Sequence, residues 1–328
     1  MQMDNDERGT HNPATATVCQ GCQRSLRSAL TLPAWVPEMV EVSAGPFLMG
    51  STDQHVAAAI SQGGNPAWVE HEKPQHTLTL PTYWIGKTPV TNVQFRPFVE
   101  HDGYTNRAYW DAAGWRWREQ TKRVTPSHWH HATWNGAAYP VVGVMWYEAM
   151  AYARWLSAQT GMAFRLPTEA MWEKAARGSD GRIYPWGNTW EAGRANTDEA
   201  KLGKTTPVGQ YPSGASPYGA LDMAGNVWEW CSTPRLPYSF ANERFSETLD
   251  TTKTRASKTY VLRGGVWYGD RLLARCAEVG VAPPARRPRR LRVPPRLCAL
   301  LALGFLSLSR VYQGGRERQD FTPSRSAA

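Results

Sequence analysis

The chain has 328 residues and a formal net charge of +9, from 37 Lys and Arg against 28 Asp and Glu. The excess is local: residues 279–328 hold ten Arg and no Lys against Glu317 and Asp320, a net of +8, and the other 278 residues carry +1, so the body offers no basic footprint for nucleic acid. Sixteen Trp, 28 Gly and 24 Pro mark a loop-rich chain whose indoles fill space, and five scattered Cys, an odd number, lack the pattern of a disulfide framework.

Residues 1–36 read as a polar, flexible lead. The first 18 residues are too polar for a secretory leader, and the longest apolar run, Leu297–Leu308, is too short for a bilayer. A cytoplasmic protein without a membrane partner is expected. Cys19 and Cys22 have the spacing of half a zinc ribbon, but no second such pair follows and His11 is the nearest histidine to complete it. They read as a reduced, exposed pair in a flexible arm, or as the remnant of an upstream module.

Met39–Ser51 alternates apolar and polar residues up to a turn at Gly50, the pattern of a strand. His71, Glu72 and His76 are interrupted by Pro74, which prevents the helix that would stack them, so they read as a solvated loop. Thr77–Ile85 is a second strand. Thr91 caps a helix over Val93–Val99, with Pro97 expected to kink it. Residues 101–137 are dense in Trp and His. His128 and His130 are expected on one face of a strand, and with no carboxylate nearby the segment reads as an aromatic-packed insert rather than a metal site.

Pro140–Ala158 leads from an apolar run into a helix ending at Gly161. Thr168 caps a second helix, Glu169–Arg177, that stops at Gly178, with acids early and bases late as the helix dipole prefers. Tyr184–Asn188 (YPWGN) is an aromatic turn. Thr205–Gly209 (TTPVG), Asp222–Trp230 (DMAGNVWEW) and a strand running into Arg263-Gly264-Gly265 follow. Two glycines let the backbone turn at φ values other residues avoid.

These motifs, with Arg165–Gly178 (RLPTEAMWEKAARG), resemble in order and spacing the formylglycine-generating-enzyme, or sulfatase-modifying-factor, family over about Met39 to Ala277. The resemblance implies an irregular α+β fold, a variant of the C-type lectin fold, over residues 37–278. It implies calcium at Asp222 and Glu229 by side chain and at Gly225 and Val227 by carbonyl, an oxygen set suited to a hard cation. A second family calcium maps onto Asn196 and Thr197, with Ala200 where an acid is expected, Glu199 one position away, and Leu202 for the carbonyl.

Active members hold copper(I) on two cysteines of the loop after the glycine pair. Alignment puts those positions at Gly269 and Ala274, and a family serine at Val266, so copper and the oxidation of a sulfatase cysteine are not expected. Cys276 reads as a small buried side chain. A sulfoxide-forming branch uses iron held by three histidines of an additional helical domain, for which 36 leading residues are too few. The remaining branch binds rather than oxidises, and includes the variable proteins of diversity-generating retroelements. The expected function is therefore a ligand- or protein-binding display module, diversified by a retroelement in one version, with Trp267, Tyr268, Asp270 and Arg271 at its binding face. Formylglycine generation is the alternative.

Residues 279–328 read as a basic tail out of frame. Pro288–Pro294 admits codons that, moved by one base, encode Arg-Asp-Asp-Phe-Gly-Phe-Arg, the ending that the resemblance implies. On that reading the tail is disordered and the last core strand is lost, leaving an unprotected edge. An authentic basic tail that binds acidic partners is the other reading.

Overall fold

The computed structural model describes residues 32–235 and 259–285, together with the backbone of three short strands at Asp4–Asn5, His11–Asn12 and Gly304–Leu306. The chain forms two compact units, Met1–Val36 and Pro37–Ala328. In the first, β1 (Asp4–Asn5) and β2 (His11–Asn12) pair antiparallel. Cys19 and Cys22 lie outside the described residues.

In the second unit the opening apolar run is two strands rather than one. β3 (Met39–Val42) and β4 (Gly45–Met49) are separated at Gly45, whose φ of +132° turns the chain from one sheet to another. The run expected as a single strand over 77–85 divides likewise, into β5 (His76–Leu80) and β6 (Tyr83–Gly86). Pro81 stands at the break and has no N–H for a ladder. β4 pairs with β5, and β3 pairs with β6.

Between these pairs lie α1 (Asp53–Ser61), the short α2 (Pro66–Val69) and a 3₁₀ turn, Glu70–Glu72. The solvated loop expected around Glu72 is not found. Its carboxylate is fully buried and ion-paired, so the residue anchors the turn.

α3 (Asn92–Glu100) has the expected Thr91 cap, completed by Gln94 into a capping box, and contains Pro97. The following insert contains α4 (Ala112–Thr121), and residues 127–134 form turns, so His128 and His130 share no strand face. Aromatic packing there is as expected: Phe95 stacks on Tyr152 at 4.7 Å between ring centroids, and Trp110 and Trp117 lie 6.4 Å apart.

α5 (Trp146–Thr160) ends at Gly161 with φ +70°, β7 is Phe164–Arg165, and α6 (Glu169–Arg177) is capped by Thr168 and ends at Gly178. α6 packs on a three-stranded antiparallel sheet in the order β10 (Gly280–Ala282), β9 (Tyr260–Arg263), β8 (Glu229–Pro234). Trp172, Ala175, Ala176, Val261 and Cys231 form its core with Phe47, Met49 and Ile85. A four-stranded sheet has the order β3-β6-β11-β7, with β11 (Gly304–Leu306) antiparallel to both neighbours. β11 lies in the segment read as an out-of-frame tail, whose other residues after 285 lie outside the described ones. Short strands in small antiparallel sheets, turns and helices give the mixed α+β architecture. Among the described residues no helix is long and apolar enough to cross a membrane.

Candidate functional site

The loop after β9 is held from below by one arginine. Arg263 is fully buried, and its guanidinium donates to Glu169 Oε1 and Glu173 Oε2, each at 2.7 Å, and to the carbonyls of Cys276 and Glu278. Glu173 also pairs with Arg177 at 2.7 Å. The expected acid-early, base-late pattern of α6 therefore serves a buried ionic network, and the dipole is a lesser reason for it. Two carboxylates and two guanidiniums balance in charge, which is the condition for burying them.

Gly264 and Gly265 have φ of +97° and +78°. A Cβ on Gly265 would lie 2.6 Å from the Leu273 carbonyl oxygen, so the loop closes on its own returning turn only with glycine there. Gly225 N–H donates to the Gly264 carbonyl at 2.6 Å, and Trp267 N–H to the Asn226 carbonyl at 3.1 Å, which locks this loop onto the Gly225-Asn226 turn. A further hydrogen bond runs from Asp198 N–H to the Gly269 carbonyl at 2.8 Å.

The four residues expected at the binding face are brought together. Trp267 and Tyr268 are half-buried and in edge contact at 5.0 Å, Arg271 is half-buried, and Asp270 is exposed. Asp270 Oδ1 accepts from Leu272 N–H, and Arg271 N–H donates to Glu199 Oε1, so the backbone under the face is fixed. Trp134, from the aromatic insert, stacks on Trp267 with centroids 5.9 Å apart, and His131 lies 6.3 Å from Trp134. Sequence reasoning missed this partnership, since nothing local to Trp134 ties it to a residue 133 positions away.

At the two positions where the resemblance implies thiols, Ala274 is completely buried, and a Cβ on Gly269 would meet Leu273 Cδ1 at 2.8 Å. The free cysteines among the described residues are Cys231 and Cys276, both buried. Burial pushes the Cys276 thiol up to about 12 and raises that of Cys231 well above its ordinary value. Neither is poised as a thiolate.

The residues expected around calcium fall on the same turn. Asp222 has φ +56°. Its carboxylate accepts from Gly209 N–H at 2.6 Å and from Asn226 Nδ2 at 3.4 Å, and burial raises it to about 6. Glu229 Oε2 accepts from Trp172 Nε1 at 3.1 Å. Gly225 N–H and its carbonyl flank the turn, with Val227 N–H donating to that carbonyl at 2.7 Å. Next to it, Asn196 pairs with Gly225 as an isolated bridge. Asn196 Oδ1, Thr197 Oγ1 and Thr205 Oγ1 are buried oxygens without a hydrogen-bond partner. Among the described residues no group of three or more His, Cys, Asp or Glu comes together to hold a metal, so any cation here would rest on carbonyls, amides and hydroxyls with at most two carboxylates. Such an oxygen-only set fits a hard cation.

Comparison with known proteins bears on most of the second unit. The model of the sulfatase-modifying factor enzyme 1-like domain matches residues 28–292. The hercynine oxygenase of Mycolicibacterium smegmatis is 33% identical over 262 residues, covering 74% of this chain and 58% of that protein. The chain thus spans little more than half the length of that relative. The formylglycine-generating enzyme of Mycobacterium tuberculosis is 33% identical over 247 residues, covering 61% of this chain and 75% of that one. Among solved structures, Treponema denticola variable protein 1 superposes with a TM-score of 0.56 at 22% identity, over 81% of this chain and 94% of its own. The last shares the fold.

Proposed function

The chain belongs to the sulfatase-modifying factor enzyme 1-like domain family, and on that premise we propose that it is a non-oxidising member that binds a ligand or protein partner through the loop after Gly265. The observation that carries this reading is the chemistry at the two thiol positions. One is a glycine crowded by Leu273, the other a fully buried alanine, and the nearby Cys276 is a buried thiol. Two thiolates are the ligands that suit copper(I), and this loop offers none. What it does offer is a half-buried Trp–Tyr pair braced by Trp134, with Asp270 and Arg271 beside it on a backbone fixed by hydrogen bonds. Aromatic anchors on rigid loops are what recognition surfaces use. A retroelement-diversified version of this role requires a reverse transcriptase and a near-copy of the segment beyond Gly265 in neighbouring DNA.

The identity with a hercynine oxygenase favours a second reading, in which the chain is the substrate-holding part of an oxygenase; formylglycine generation is its counterpart within the family. Incubation with copper(I), oxygen and a cysteine-containing sulfatase peptide, followed by mass spectrometry, separates the readings. The peptide is expected to return unchanged. Conversion of its cysteine to formylglycine, abolished by Cys276→Ser, overturns the binding reading.

Calcium is the proposed structural cofactor, held by Asp222 and Glu229 with the carbonyls of Gly225 and Val227. The partnerless oxygens of Asn196 and Thr197, on the segment beside that turn, support a hard cation at the second position that the resemblance implies.

A further inference from the structure

Residues 272–277 of the same loop, with α1, the end of α6 and the turn 183–190, line a cavity of about 240 Å³. It is too small for a macromolecule and admits a body of about ten non-hydrogen atoms. Its polar lining is built from buried groups. Arg177 is 1% exposed and Arg275 is 5% exposed, and both border the cavity.

A guanidinium has five N–H donors. Those of Arg275 go to the Leu272 carbonyl, to both oxygens of Glu72 and to Glu278 Oε2. Those of Arg177 go to the carbonyls of Arg182, Gly50 and Gly181 and to Glu173 Oε1. Four donors are accounted for in each case, so among the described residues one N–H of each arginine has no acceptor. His55 borders the same space, and its Nδ1 is buried with no partner. The other wall is aromatic: Tyr184 and Trp190 meet edge to face at 5.2 Å.

We propose that this cavity is a binding site for a small planar monocarboxylate, its carboxylate on Arg177, Arg275 and His55 and its ring against Tyr184 and Trp190. Guanidinium and carboxylate match in geometry and charge, and a charged acceptor is the partner that best compensates a buried N–H. The planar aromatic wall selects the body of the ligand. This site is independent of the reading of Trp267–Arg271 as a binding face, and either stands without the other.

The surrounding charges give the site a pH dependence of known sign. The two lining arginines belong to one set of buried ion pairs: Glu72 from the 3₁₀ turn, Glu278 and Arg275 from the loop, Glu169, Glu173 and Arg177 from α6, and Arg263 from β9. Burial, and next the Glu72 carboxylate, push Glu278 up to about 8. Burial, then Arg177, lower His55, which keeps its ring neutral at pH 7. With Glu278 protonated the cluster is neutral and accepts an anion; as pH rises through that range Glu278 ionises and opposes it.

Calorimetry of the full chain with benzoate as the probe, and benzamide as its uncharged counterpart, tests the site. Saturable 1:1 binding of benzoate is expected, at least about tenfold tighter than benzamide, because the charge is what the arginines recognise. His55→Ala and Trp190→Ala are each expected to weaken benzoate at least about fivefold, as loss of one hydrogen bond or one ring contact does. Affinity is expected to fall between pH 6.5 and 9. Absence of saturable binding, equal binding of benzamide, wild-type affinity in both variants, or affinity that rises with pH overturns the proposal. If the variants do not fold, the benzoate–benzamide pair and the pH series on the unaltered protein decide it.

Discussion

The loop between Gly265 and Glu278 has an inner and an outer side, built on different physics. On the inner side, Arg263, Arg275 and Arg177 are almost wholly buried and matched with Glu169, Glu173, Glu72 and Glu278 at 2.7–2.9 Å. On the outer side, Asp270 is exposed and Trp267, Tyr268 and Arg271 are half-buried, and the hydrogen bonds that hold them involve backbone. Buried charge makes the inner side intolerant of change, because removing one partner strands another in low dielectric. The outer side has no such penalty, so substitutions there cost the fold less.

That contrast is most directly broken at Arg263. Arg263→Met leaves Glu169 and Glu173 short of a cation, and a loss of ~3–5 kcal/mol is expected by chemical denaturation. Gly225→Ala comes next. Its φ is +77° and a Cβ there collides with the Asn196 carbonyl, so a loss of ~2–4 kcal/mol is expected by the same measurement.

Asp222 sharpens the calcium assignment. Its folded value of about 6 lies above the ordinary carboxylate value, so without a cation its ionisation opposes folding. The sign follows from linkage: the folded state holds the proton longer, so stability from this group is present below pH 4 and falls as pH rises from about 4 to about 6, by at most ~2–3 kcal/mol. Asp222→Asn is expected to remove that slope in thermal melts under chelator. Millimolar calcium is expected to raise the melting point of the natural protein at pH 7, and less so in Glu229→Gln. A melting point that calcium leaves unchanged contradicts the assignment.

The outer face is expected to give the smallest effects. Trp267→Ala loses a stacked partner and ~1–2 kcal/mol, and Asp270→Ala removes an acceptor for two backbone N–H groups and ~0.5–1 kcal/mol. Arg271→Ala stays within about 0.5 kcal/mol. Thermal melts order the three, and a loss at Arg271 as large as that at Arg263 erases the distinction between the two sides.

Much of the frame was legible in the sequence because it depends on local chemistry. Thr91, Thr168, Gly161 and Gly178 each act within one turn of their helix, and the Arg-Gly-Gly turn is written in three consecutive residues. The breaks at Gly45 and Pro81 were within reach, but alternation continues across both and hides the change of sheet. Glu72 reads as solvated from sequence because its partner, Arg275, is 203 residues away, and polar residues near a proline resemble a loop until that partner is known. Trp134 and the cavity beside His55 share this cause. Each is assembled from segments distant in sequence, with no periodicity or spacing to announce it.

Oxygen uptake by the purified chain, measured with a cysteine-containing sulfatase peptide and copper(I), and again with iron(II), tests the central claim most directly. The account predicts a rate equal to that of metal and peptide without protein. Metal-dependent uptake above that rate, lost in Cys276→Ser, contradicts it and restores an oxidase.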